Sequence, residues 1–531
     1  MSLISIDFAL FVCLALLIYF AVPKKFRWIV LLVASYAFYA QSGTENLIYI
    51  AVTTVSAYIC AFLIEKKKEG MDAYLHDKGA DISKEEKKAY KAGVKKRQKL
   101  ILIAGLLLNF GILAYLKYAN ITIAYINLFR LTHYGRTDFI PFRDFLLPLG
   151  ISFYTFQTMG YLIDIYYGKY GRERNFFKFA LYVSFFPQVV QGPISRFGQI
   201  ASQLYEGADF DFARLKSGFY RIMWGLFKKL VIADRLAGFV SETMAQKDAY
   251  RGFYIVIAIF AYSMQIYGDF SGGIDVALGV AEMFGIKLPE NFERPFFSKS
   301  ISEYWQRWHI TLGTWFKDYI FYPLSLNKGI IKLGRIAREQ KMTALGKRIP
   351  IYVPMLFVWT LTGMWHGSES RYVVWGLFNF VFIVLGTELE PLSKKITAKL
   401  TLVESDFVMR AYRAGKTFWL MSFLRLFDIN RDVKDAFTAF SYVFQGWGHF
   451  DINRIFENLS LPMEEMIVAA IAIVIMFIVD LIQRRGSVRA KIFALPVPVQ
   501  WCFLSLLVLA VSVFGYYGPG FDAASFIYGA F

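Results

Sequence analysis

Residues 352–386 read YVPMLFVWTLTGMWHGSESRYVVWGLFNFVFIVLG. Two apolar runs, Tyr352–Trp365 and Tyr372–Leu385, flank the motif Leu361-Thr362-Gly363-Met364-Trp365-His366-Gly367. Both runs read as membrane-embedded helices, so His366 lies between two segments in lipid. An ionisable side chain is expensive there and usually has a purpose. The chain holds only five histidines, which sharpens the question of what this one does.

Similar runs recur along nearly all of the 531 residues, of which 56% are hydrophobic and 19% charged. Soluble domains carry nearer ~25% charged residues, and one soluble core rarely grows past ~300 residues. The reading is an all-α polytopic membrane protein of roughly 11–14 membrane segments, each needing ~20 apolar residues for a ~30 Å core. Candidate helices are Leu3–Val22, Trp28–Ala40, Asn46–Ile64, Leu100–Tyr118, Phe145–Tyr166, Phe177–Val190, Leu215–Ile232 and Tyr254–Phe284. After the two runs around His366 come Phe418–Leu426, Met466–Ile482 and Val499–Tyr517. No long linker, low-complexity tract or fixed-period repeat interrupts them, so residues 1–531 read as a single integral membrane domain.

The net charge is +18, with 59 Lys and Arg against 41 Asp and Glu. In a soluble protein that excess would suggest nucleic acid. Here the basic residues cluster in loops between apolar runs, as the positive-inside rule expects, and no nucleic-acid partner is implied. Segment 65–99 carries twelve Lys or Arg and reads as a charged cytoplasmic loop, helical or mobile. Segments 325–349 and 483–491 are also basic and read as cytoplasmic. The alternation puts the N-terminus outside. The first apolar run has its charges, Lys24, Lys25 and Arg27, after it, so it reads as a retained helix and not a cleaved signal. Cys13, Cys60 and Cys502 lie in apolar segments without paired spacing and read as small buried hydrophobes. No metal site is indicated.

Residues 265–324 hold the densest chemistry. Asp269, Ser271 and Asp275 fall within an apolar helix and must face protein, water or a partner. "GIKLPENFERPF" (285–296) is a Pro-interrupted loop. Ser300 with Glu303 has the spacing of a capping box, opening a helix that Pro323 ends. On one continuous helix, Trp305 and His309 are i,i+4 neighbours, and Arg307 and Asp318 fall three turns apart on nearly one side. That helix also suits an interfacial anchor, rich in Trp and charge. His366 itself suits either a hydrogen-bonded core position or a general base, since an imidazole titrating near neutrality takes a proton from a hydroxyl. Gly363 and Gly367 would let a substrate come close to the backbone. The chain lacks HExxH and GxSxG, and "GKT" at Gly415–Thr417 has Arg410 where a phosphate-binding loop needs glycine.

Five pieces in order, "LPLGISFYTFQTMGYLIDIYYG", "FFPQVVQGPISRF", "DFSGGIDVALGVAEMFGIKLPENFERPF", "SEYWQRWHITLGTWFKDYIFYPL" and "LTGMWHGSESRYVVWGLFN", resemble the membrane-bound O-acyltransferase family. The similarity is to its bacterial branch of alginate O-acetyltransferases and teichoic-acid D-alanyl transfer proteins. It is strongest over about residues 145–390, and the terminal "SFIYGAF" also resembles the alginate type. The basic segment 325–349 is longer than that type leads one to expect.

The resemblance implies a ring of helices around a central funnel. It implies catalysis by His366, in "WHG", with His309, in "RWH", orienting or polarising a thioester carbonyl. Trp305, Arg307, Asp318 and Trp365 would line or support the funnel, with Asp269 behind them. No cofactor would stay bound. Acetyl-CoA or another acyl thioester would be a co-substrate from the cytosol. The acceptor would be an extracellular polysaccharide, reached with an SGNH-hydrolase-like partner outside the bacterial cell membrane. D-alanyl transfer from a carrier protein is the alternative within the family. A transporter without covalent chemistry is the alternative outside it, since broken helices and buried charges suit that class too.

Overall fold

The computed structural model describes residues 2–78, 81–143, 148–399 and 406–517. Regular structure among them is helical, apart from one isolated bridge between Phe292 and Trp308. The chain divides into two compact units: Met1–Gly218 with Val280–Pro289, and Phe219–Gly279 with Glu290–Phe531. The terminal "SFIYGAF" and the expected helix start at Phe145 lie outside the described residues.

The first unit is built on α1 (Ile6–Ala21), α2 (Arg27–Ala40), α3 (Leu47–Lys78), α4 (Lys84–Tyr134), α5 (Ile151–Tyr167) and α6 (Phe176–Ser184). α3 and α4 pack as a hairpin. Gln98 Nε2 donates to the Ile64 carbonyl at 2.9 Å, and Asn109 Nδ2 to Ser56 Oγ at 3.0 Å. Segment 65–99 is mostly helix, the first of its two expected forms. Ser83 starts α4 with a complete capping box to Glu86. At 1.5 Å per residue α4 is ~76 Å long, more than twice a bilayer core. The apolar part crosses, and the charged part continues the same helix into water. Every residue of α5 from Ile151 to Ile165 is buried. Beside it the chain breaks at Phe185, where Pro187 enters a four-residue helix. Gln157, Gln188 and Ser195 hydrogen-bond in series there (3.1 and 2.9 Å), as broken backbone inside a membrane protein requires.

α7 (Phe212–Leu226) enters the second unit at Phe219 and continues through a wide turn, Phe227–Ala233, into Asp234–Ala245. It packs on α8 (Phe253–Met283) along a seam of glycines. A Cβ on Gly225 would stand 2.6 Å from the Gly272 carbonyl oxygen, and one on Gly268 2.7 Å from that of Lys228. Small residues bring membrane helices this close. The close approach lets two lysines reach the acids of α8. Lys228 Nζ lies 2.7 Å from Asp275 and 2.8 Å from Ser271 Oγ. Lys229 Nζ lies 2.6 Å from Asp269 and 2.8 Å from Asp234. The acids in the apolar run thus face protein, as their cost demanded.

Further along come α9 (Ile301–Arg307), α10 (Ile310–Phe316), α11 (Thr343–His366), α12 (Ser370–Lys399), α13 (Met463–Gln483) and α14 (Val497–Phe514). The single helix expected from Ser300 to Pro323 is broken. It stops at Arg307, restarts at Ile310, widens at Lys317–Phe321 and takes Pro323 into a last short turn. Ser300 Oγ does accept the Glu303 N–H (3.1 Å), but the Glu303 carboxylate accepts from Lys299 N–H (2.7 Å), one residue off the full box. Segment 325–349 is no open loop either: Lys328–Glu339 is helical and packs its Gly334 against Gly346 of α11.

Among the described residues, six helices are long and apolar enough to cross a membrane, including α3, α4, α8, α12, α13 and α14. The other apolar runs form shorter or broken helices, such as α6. Their outer faces stay apolar: Leu107 is 70% and Leu506 58% exposed, which lipid tolerates and water does not. Cys13 and Cys502, expected to be buried, lie on such exposed faces, and only Cys60 is partly covered.

Replacing Lys229 by methionine keeps its length and leaves two carboxylates, 4% and 1% exposed, without their cation. The variant is expected to lose about 3–5 kcal/mol of stability. A thermal shift followed by size-exclusion chromatography measures it. Adding Asp269→Asn and Asp234→Asn should restore much of the loss.

Candidate active site

The break between α9 and α10 places His309. Its φ and ψ are both 50°, the left-handed region that a residue with a Cβ adopts at a cost. Asn291 holds it there. The Asn291 carbonyl accepts the Ile310 N–H at 3.0 Å. Its side-chain oxygen accepts the Thr311 N–H at 3.0 Å and the Thr311 hydroxyl at 2.9 Å. Two residues further on, Glu293 N–H donates to the Arg307 carbonyl at 2.9 Å. The loop 291–293 therefore clamps both ends of the break. Below it, buried Arg425 donates to the Tyr304 hydroxyl (2.6 Å) and stacks over Trp308 at 4.5 Å.

The same clamp sets the histidine's tautomer. His309 Nδ1 lies 3.3 Å from Asn291 Oδ1, which is identified as oxygen because a backbone N–H donates to it. Nδ1 therefore carries the proton, and Nε2 is left as an acceptor. His309 lies outside the six apolar spans and is 3% exposed. Burial among aromatic rings pushes its pKa well below the ordinary histidine value, so the ring is neutral at physiological pH. Phe270 sits edge-on to it at 4.9 Å.

His366 is the last residue of α11 and is 7% exposed. Its ring is 4.9 Å from that of Trp365 and 4.6 Å from that of Trp375. Trp365 also lies 5.5 Å from His309, so one indole touches two imidazoles that are far apart in sequence. Both histidines line one cavity of about 270 Å³, together with Trp305, Trp359, Thr362 and Lys317. Gly363 and Gly367 serve helix packing and not substrate approach. A Cβ on Gly363 would stand 2.4 Å from the Tyr372 carbonyl oxygen, and one on Gly367 2.1 Å from the Tyr372 ring. Together with Gly376, whose Cβ would meet the Trp359 carbonyl at 2.3 Å, they press α11 onto α12. That crossing sets where His366 stands.

Trp305 lines the cavity, its Nε1 donating to Asn379 Oδ1 at 2.9 Å and its ring packed on Trp359 and Trp375. Arg307 pairs with Glu303 at 2.6 Å and supports α9. Asp318 is half-buried in the widened turn Lys317–Phe321. Neither residue lines the cavity, and the break removes the shared face that a continuous helix would have given them. Asp269 is held by Lys229, although the adjacent Phe270 reaches His309. The remaining histidines, His76, His133 and His449, are exposed. Sequence reasoning passed over Asn291, inside a loop read only as Pro-interrupted. It also passed over Asn379, whose lone polar side chain in an apolar run was the available signal.

Comparison with known proteins bears on this arrangement. The sequence model of the membrane-bound O-acyltransferase family matches residues 169–334, which contain the break and His309. The probable alginate O-acetylase AlgI of Pseudomonas aeruginosa is 31% identical over 437 residues, covering 80% of this chain and 75% of that protein. A peptidoglycan O-acetyltransferase of Helicobacter pylori is 31% identical over 53% of this chain and 54% of its own. A teichoic acid D-alanyltransferase of Bacillus subtilis is 28% identical over 48% of this chain and 62% of its own. Long, multiply spanning and 31% identical to the alginate O-acetylase over 80% of its length, the chain belongs to the membrane-bound O-acyltransferase family and is a membrane O-acyltransferase.

Proposed function

We propose that this enzyme moves an acetyl group from a cytosolic thioester, such as acetyl-CoA, toward the hydroxyl of an extracellular polysaccharide. The observation that carries the reading is the shared cavity: His309 and His366 line it together, and Trp365 touches both rings. The transporter alternative gives way to the enzyme, because the relatives are acyl-transfer proteins. Acetyl is preferred to D-alanyl because the alginate-type relative matches a longer stretch at higher identity.

In this reading His366 is the general base. Its imidazole takes the proton of the accepting hydroxyl as the oxygen attacks the thioester carbonyl. The C–S bond then breaks, and the departing thiolate receives that proton. The acceptor is a hydroxyl of the glycan, or a serine of an SGNH-hydrolase-like partner that completes delivery outside. His309 presents an acceptor nitrogen. It therefore orients a hydroxyl or thiol in the cavity and does not donate to the carbonyl as first expected. The tryptophans exclude water and hold the reactants together, which supplies rate through proximity. The bacterial cell membrane is the site of action, with the basic segments on the cytosolic side.

With purified enzyme and labelled acetyl-CoA, His366→Ala is expected to slow thiol release by ~10²–10⁴-fold, the usual worth of a positioned base. Unchanged release would remove His366 from the chemistry. His309→Asn tests the second ring separately. Asparagine tolerates the left-handed backbone, so the variant should keep the wild-type melting temperature while activity falls. A fall in both would make His309 a structural residue. Acetyl content of surface polysaccharide, compared in cells with and without the protein, tests the acceptor.

A further inference from the structure

A second cavity, of about 780 Å³, is lined by neither histidine. Its size is typical of ligand sites, which run ~300–1,000 Å³. Its walls differ in character. One is apolar and includes Trp224, Ile475, Val479, Phe503 and Leu507. All but Trp224 come from α13 and α14, which are apolar and long enough to span a membrane. Ile475 is 41% and Phe503 45% exposed, so this wall is continuous with surface that meets lipid chains.

The opposite wall is charged, and most of its charges pair with one another. Arg221 donates to Asp275 at 2.9 Å and to Glu290 at 2.8 Å. Lys228 donates to Asp275 at 2.7 Å, and the Tyr267 hydroxyl to Asp480 at 3.1 Å. At the loop end of α13 and α14, the short helix Val488–Phe493 brings Arg489 and Lys491 into the lining. They belong to segment 483–491, which holds four basic residues and no acid. Cations where two spans meet their loop stand at the level of lipid head groups, and basic pockets between membrane helices take phosphate head groups.

We propose that this cavity is a phospholipid site, with the lipid phosphate on Arg489 and Lys491 and one acyl chain along α13 and α14. A free phosphate would bind the cations and leave the apolar wall wet. An acetyl thioester has the phosphates but no chain to fill that wall. The proposal does not depend on the roles given to the histidines.

The test uses the full chain reconstituted in nanodiscs of phosphatidylglycerol and phosphatidylcholine, re-extracted in detergent and weighed by native mass spectrometry. Retained phospholipid is expected on the wild type. Arg489→Gln with Lys491→Gln should lower it by about thirtyfold, two head-group cations being lost. Val479→Trp, which fills the apolar wall and leaves the cations, should lower it as well. Lys491→Gln alone, at an exposed position, guards against misfolding and should give an intermediate loss. Equal retention in wild type and double variant would overturn the proposal. Displacement of the lipid by coenzyme A would assign the cavity to the thioester donor instead, and displacement by inorganic phosphate would make it a soluble-anion site.

Discussion

The site depends on one asparagine. Asn291 accepts from Ile310 N–H, Thr311 N–H and the Thr311 hydroxyl, and it also engages His309. Without it, segment 300–323 has a capped start and no proline before its end, and nothing local stops it running on as one helix. A continuous helix would point His309 along the face of Trp305. The clamp stops the helix and turns His309 through a left-handed conformation toward Trp365 and His366. The hydrogen bonds that pin the backbone also fix which imidazole nitrogen carries the proton. Position and chemistry of the ring therefore share one cause.

The rest of the second unit follows a related economy. Where α11 meets α12, and where α7 meets α8, glycines let backbones come within reach of each other. In lipid such contact must replace the hydrophobic drive that water supplies to soluble folds. At the first crossing the reward is placement of His366. At the second it is burial of Lys228 and Lys229 against three aspartates. A pair of charges so enclosed does not stabilise by much in itself, but removing one partner is costly. The network therefore holds α8 in register, and α8 carries Phe270 against His309.

Much of this could be read from the residues in advance. Helix existence was legible because apolar runs in a membrane protein leave the backbone few alternatives. The family was legible from five pieces in order, and that resemblance drew attention to His309 and His366. Helix ends were less so. For segment 65–99 charge signalled solvent but could not choose between helix and mobile loop, and the helix forms because a membrane helix nucleates it. Arg307 and Asp318 were grouped with the site by a helical periodicity that the break cancels. Asp269 was read as possible support for the site when its partner, Lys229, belongs to another helix forty residues earlier.

The sequence by itself determined that this chain is helical, crosses a membrane and carries two histidines worth explaining, because hydropathy, charge placement and motif are local properties. Only the tertiary structure decided that those histidines share a cavity, that Asn291 sets one of them, and that Gly363 and Gly367 serve packing. Those facts rest on contacts between segments distant in the chain. No periodicity within a single run encodes which side chain from elsewhere will stand against it.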